Sequence, residues 1–169
     1  ESSPVDQLVL GLIDTSWVQR LRRISQTGNT LQVYMYAEHS RFGHSLGVAY
    51  LASLVCKHLL GSGYQQVSEW HAAVCAAALL HDIGHCAPGS HLAERVWDIS
   101  DCGLSHEDLG IEVILGKSDV NSKLKSFDED LPRKVAAILR KSASIPKWTI
   151  DIISGDGWNV DRGNWSILD

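Results

Sequence analysis

Two histidines and two aspartates carry the chemistry this chain could perform: His44, the adjacent pair His81-Asp82, and Asp161. Imidazole nitrogens and carboxylate oxygens together suit one divalent ion of the Mn, Fe, Ni, Zn or Mg class. Four such donors leave coordination positions open for water and a phosphate oxygen, which is the layout of a hydrolytic metal site. A cation would also explain how Asp161 sits in an otherwise apolar, helical neighbourhood. A carboxylate buried there without a partner would be costly.

Helices must bring these donors together. His81-Asp82 closes the run His71 to Leu80, apolar almost all round and therefore expected at the centre of the core. Gly84 then bends the chain, so both side chains can reach one cavity. A second apolar helix is expected from about Phe42 to Leu60, stopped by Gly61 and Gly63, with His44 near its start. The two ends meet only if the helices run antiparallel, which the connection from Gly61 to Val67 permits. Asp161 must return from a last helix that begins near Asn159.

The remaining elements read as more helices. Asp14 or Thr15 can cap one through Ser25, with Trp17, Val18, Leu21 and Ile24 at helical spacing. Thr30 to Tyr36 alternates, with Leu31, Val33 and Met35 on one side, and predicts a short strand or extended loop. His91 to Ile99 predicts a short helix after the loop at Pro88-Gly89. Ser105 opens another, with Asp108 completing an acidic capping box. Gly116 to Asp130 is polar and is expected to be an exposed loop. Asp130 would cap Leu131 to Lys141, and Pro146 precedes a helix over Trp148 to Ser154. With no repeat, low-complexity tract or linker, residues 1–169 are expected to form a single all-α domain.

Composition narrows the function class. Of 169 residues, 44% are apolar and 21% charged, as in ordinary globular proteins. A net charge of −5 argues against a general nucleic-acid surface, although Arg20, Arg22, Arg23 and Arg41 could form a local basic cluster. No apolar run approaches the roughly 20 residues of a bilayer span, and no signal pattern opens the chain, so no membrane partner and a cytoplasmic or nuclear location are expected. The chain begins with Glu1 and stops at Asp169 inside a helical pattern, the expectation for a fragment. Cys56, Cys75, Cys86 and Cys102 contain no C-x-x-C pair, so neither a structural disulfide nor cysteine-bound zinc is expected.

Several stretches resemble one branch of a known family. These are Val18 to Gln26; Glu38 to Ala52, which contains Arg41-Phe42-Gly43-His44-Ser45-Leu46-Gly47-Val48; Ala78 to His85; Leu104 to Glu107; and Asn159 to Arg162. In this order they are similar to the HD-superfamily dNTP triphosphohydrolases, and they extend over almost the whole chain. The resemblance implies an all-α HD-domain bundle around one buried metal site, and hydrolysis of a deoxynucleoside triphosphate to deoxynucleoside and triphosphate. It implies that His44, His81, Asp82 and Asp161 hold the metal. Arg41 and Arg162 would meet the phosphates, and Gln26 and Asp169 would lie near the sugar 3′-hydroxyl.

The leaving 5′-oxygen needs a proton, for which histidine near neutral pH is suited. His91 is the expected donor, oriented by Glu94 one turn later, with His106-Glu107 supporting the same side. His39, His58 and His71 read as structural. The loop from His85 to His91 has seven residues where the family usually has six, and Asn164-Trp165 stands where the family has Asp-Tyr. Trp165 lacks the phenol that would hydrogen-bond the sugar. The family's C-terminal lobe, which completes the nucleotide pocket and the homo-oligomer of the full-length form, is expected to lie outside this chain. Two alternatives stay open: another HD hydrolase, a phosphodiesterase or nucleotidase with His91 and His106 on a second metal, and a non-catalytic nucleotide-binding module.

Overall fold

The computed structural model describes residues 3–87, 95, 96, 99, 103, 105–156 and 159–161. Among the described residues the fold is all-α, with eight helices and no strand. They are α1 (Pro4–Ile13), α2 (Ser16–Arg20), α3 (Arg41–Gly61), α4 (Val67–Leu80), α5 (His106–Leu115), α6 (Asp119–Phe127), α7 (Leu131–Leu139) and α8 (Lys147–Ser154).

The central helix is α4, as its composition requires. His71 and every residue from Ala73 to Leu80 are buried, because α1, α3, α7 and α8 all pack against it. Its main partner is α3, which buries His44, Ser45, Val48, Ala49, Ala52 and Cys56 along one stripe. That i, i+4 spacing keeps a single face toward the neighbour. The two run antiparallel, so the first turn of α3 lies beside the chain leaving α4. Ser40 caps α3 by accepting from the Gly43 amide, and the Arg41 amide donates to the Ile24 carbonyl at 2.9 Å. These bonds fix where the helix starts, and hence where Arg41 and His44 point.

Five expectations are corrected. The helix starting near Thr15 ends at Arg20 and tightens into a 3-10 turn over Leu21–Arg23, instead of running through Ser25. Neither Asp14 nor Thr15 supplies its cap. The Thr15 hydroxyl donates back to the Leu12 carbonyl, and the Ser16 amide is taken by the Asp119 carboxylate of α6 at 2.6 Å. Thr30 to Tyr36 is no strand: Gly28–Gln32 is a 3-10 turn and Val33, Tyr34, Met35 and Tyr36 are exposed. Alternation had no sheet to bury one face against. The sole strand-like pairing among the described residues is the isolated bridge of Ser25 with Ser40.

Gly116 to Asp130 holds a helix, α6, capped by Ser118 and anchored by Val120 and Leu124, both fully buried. Two apolar residues at i, i+4 suffice for a narrow stripe, and averaging over the polar outer face hides it. Asp130 stands before α7 without a side-chain cap bond; its carboxylate takes Arg133 instead. The helix expected over His91 to Ile99 falls mostly outside the described residues. Ahead of these lies α1, where Ser3 and Asp6 form a full capping box before buried Leu8 and Leu12.

Candidate metal centre

Donor groups of four residues converge where α3 begins and α4 ends: ligand atoms of His44, His81 and Asp82 lie within 4.8 Å of one another, and Asp161 Oδ1 approaches both histidines. His44 Nε2 lies 3.2 Å from His81 Nε2, 2.9 Å from Asp161 Oδ1 and 3.8 Å from Asp82 Oδ2. His81 Nε2 lies 3.5 Å from Asp82 Oδ1 and 3.7 Å from Asp161 Oδ1. Ligands bonded to one transition-metal ion at about 2.1 Å sit roughly 3 to 3.5 Å apart, so this spacing fits a shared cation. His81 Nδ1 is 2.8 Å from the Ala78 carbonyl and donates to it, which turns Nε2 toward the other donors.

Charge is arranged to keep the carboxylates ionised. Burial pushes Asp82 up, but the His81 charge, the His85 hydrogen bond and the Arg41 charge outweigh it and hold the carboxyl well below the usual range. Burial likewise opposes Asp161, and the bond to His44 with the His81 and His44 charges brings it down. Arg41 is itself buried, with one Nη 2.6 Å from Asp82 Oδ2 and its Nε without a partner. The structure thus places Arg41 directly on a candidate ligand.

One residue given no role from its sequence position touches the donors. His85 Nε2 lies 3.3 Å from Asp82 Oδ1, and its ring stacks on that of His106 at 3.8 Å between centroids. Burial, foremost, holds His85 toward its neutral form. The signal was available in the i, i+3 spacing from Asp82. Gly84 permits this stack, since a Cβ there would collide with the His106 carbonyl oxygen and crowd the Gly110 amide. Arg20 braces the same turn by donating to the Ile83 carbonyl at 2.7 Å.

A cavity of about 240 Å³ opens beside the cluster, lined in part by His81, Asp82, His106, Glu107, Lys141 and Asp161. His106 Nδ1 is 3.4 Å from Glu107, on the first turn of α5 where the Ser105–Asp108 capping box holds the chain. Gln26 hydrogen-bonds through its amide to the His39 carbonyl, and its side-chain Oε1 is shielded with no partner. His91, Glu94, Arg162 and Asp169 lie outside the described residues, as do the loop at Pro88-Gly89 and Trp165. Among the basic residues, Arg41 is committed to Asp82, Arg20 donates to the Ile83 carbonyl, and Arg22 lies over the Phe42 ring at 3.7 Å.

His44, His81 and Asp82 fall within a stretch that a known family matches, and Asp161 lies beyond it. The family described as "HD domain" matches residues 41–147. This chain belongs to the HD-domain family. An HD domain points to a metal-dependent hydrolase, and the His and Asp groups here could hold its divalent ion. Among relatives of this HD-domain chain, the uncharacterized protein YwfO of Bacillus subtilis is 40% identical over 141 residues, covering 81% of this chain and 30% of that protein. The deoxynucleoside triphosphate triphosphohydrolase SAMHD1 of Gallus gallus is 37% identical over 142 residues, 79% of this chain and 23% of its own length. The chain thus spans less than a third of these curated relatives. A crystal structure of a hypothetical protein from Aquifex aeolicus superposes with a TM-score of 0.74 at 32% identity, covering 94% of this chain and 40% of the other. No helix among the described residues is long and apolar enough to cross a membrane.

Proposed function

We propose that this HD domain hydrolyses deoxynucleoside triphosphates to deoxynucleoside and inorganic triphosphate. The observation that carries the reading is the convergence of His44, His81, Asp82 and Asp161 at the edge of a polar cavity. Similarity to a protein named a deoxynucleoside triphosphate triphosphohydrolase over 79% of the chain supports the substrate.

In this reading the four donors hold one divalent ion, which when bound polarises the α-phosphoryl group and orients a water. Attack at the α-phosphorus breaks its bond to the sugar 5′-oxygen. That oxygen leaves with a proton from His91, which Glu94 orients. His106, stacked on His85, lines the same cavity and sets its shape. Arg41 anchors Asp82 through one Nη, and its remaining guanidinium donors face the phosphates together with Arg162. Gln26 offers its unpartnered Oε1 to the sugar 3′-hydroxyl, with Asp169 beside it. The assignment of one chain-wide HD domain, a homo-oligomer in the longer protein and a small nucleotide as the partner belongs to the same proposal.

A second reading is favoured by one observation. Ligand atoms of Asp82, His85 and His106 all lie within 4.8 Å of one another, room for a second ion as in a phosphodiesterase or nucleotidase. Metal content separates the two, at about one ion per HD site against two. The deciding experiment incubates the protein with each dNTP and Mn or Mg and separates the products. Deoxynucleoside with triphosphate is expected; monophosphate with pyrophosphate overturns the proposal.

A further inference from the structure

The α3–α4 pair carries a second cluster of metal-type donors away from the first. Cys56 on α3 and His71 and Cys75 on α4 place their ligand atoms within 4.8 Å of one another. His71 and Cys75 stand at i, i+4 and therefore share a face of α4, and the antiparallel neighbour presents Cys56 to that face. Both cysteines are fully buried, and His71 is 9% exposed with its Nε2 shielded and unpartnered. A polar ring nitrogen left so in the interior is costly unless something binds it. Both thiols are free.

We propose that Cys56, His71 and Cys75 form a thiolate-rich zinc site, separate from the HD centre, that clamps α3 to α4. Thiolates with an imidazole select soft or borderline ions, and charge narrows the choice. Two thiolates and a neutral imidazole exactly offset a divalent ion, leaving no net charge in the apolar interior, whereas Cu(I) would leave one negative charge buried. Zinc–sulfur bonds of about 2.3 Å put two tetrahedral sulfurs about 3.8 Å apart, so the donors need to close by no more than roughly 1 Å. The fourth position has a route: Cys75 lines a cavity of about 370 Å³, from which a neutral water can enter. Cys56 lies twelve residues beyond His44 on the same helix, about 18 Å along its axis, so the two clusters bind independently. This departs from the sequence expectation of no cysteine-bound zinc, because donors contributed by two helices leave no C-x-x-C signature.

Cobalt substitution tests it, since only sulfur ligands give the near-ultraviolet thiolate-to-cobalt charge-transfer band and the HD centre offers none. The reduced protein is expected to take up cobalt with that band at one equivalent per chain. The band should persist in His81→Ala and vanish in the double variant Cys56→Ala, Cys75→Ala. His71→Asn, which keeps both thiols and is the milder change, should shift the band and weaken cobalt binding at least tenfold. No band in the reduced wild-type protein, or a band that survives the double cysteine variant, overturns the proposal. An unaltered band and affinity in His71→Asn also overturns it as stated.

Discussion

The same two helices carry two donor clusters of opposite character. At the start of α3 and the end of α4, His44, His81, Asp82 and Asp161 are nitrogen and oxygen donors beside a polar cavity, with Asp161 39% exposed at its side chain. One helical stretch further in, Cys56, His71 and Cys75 are buried sulfur and nitrogen donors. The difference follows from position along the helix pair. Helix ends leave main chain free to bend, as at Gly84, and so bring a carboxylate, an arginine and water to one place. Helix middles have every backbone group engaged and admit only what the side-chain stripe supplies. The first arrangement suits turnover and the second suits a clamp.

The largest expected effect would break the comparison at the polar end. Asp82→Ala removes a candidate ligand and strands buried Arg41, so it should lose the HD-site metal and cost about 3–5 kcal/mol of stability. Metal analysis and urea denaturation check this, and the thiolate–cobalt band should be unmoved. Gly84→Ala should cost about 1–3 kcal/mol, because the added methyl meets the His106 carbonyl and the α5 backbone. Hydrolysis should fall with it, while the cysteine cluster keeps its metal; equal damage to both clusters would show that they are not independent.

Smaller changes sharpen the contrast. Ser105→Ala removes the capping box that seats His106 and should cost about 1 kcal/mol, read from the denaturation midpoint. The smallest effect lies on the thiol side, where Asp6 is held down to about 2 from an ordinary 3.8 by the Ser3 amide, by Lys57 and by the Ser3 hydroxyl. Its folded pKa is depressed, so its contribution is present above about pH 4 and fades as pH falls toward 2. Urea midpoints measured from pH 5 to 2 should therefore converge for wild type and Asp6→Asn, with wild type ahead only at the upper end.

Much of this was readable from residues. The central place of α4 followed from an apolar run too continuous for a surface helix, and the α3 boundaries from Gly61 and the apolar start at Phe42. The four metal-type donors stood out because the pair His81-Asp82 ends that run. Elements whose stability comes from partners were misread: Thr30 to Tyr36 had the strand pattern without a sheet, and α6 showed only Val120 and Leu124 in a polar segment. For His85 the i, i+3 spacing from Asp82 is legible, but its stacking on His106 is not, because His106 comes from α5.

The sequence by itself determined the helical class, the order of the main helices and the identity of the candidate ligands, because those depend on local periodicity and on donor chemistry. Only the tertiary structure decided that Arg41 rests on Asp82, that Asp119 of α6 caps α2, and that Cys56 faces His71 and Cys75. Each joins residues far apart in the chain, and such contacts are set by which helix faces are buried against each other rather than by any spacing along one of them.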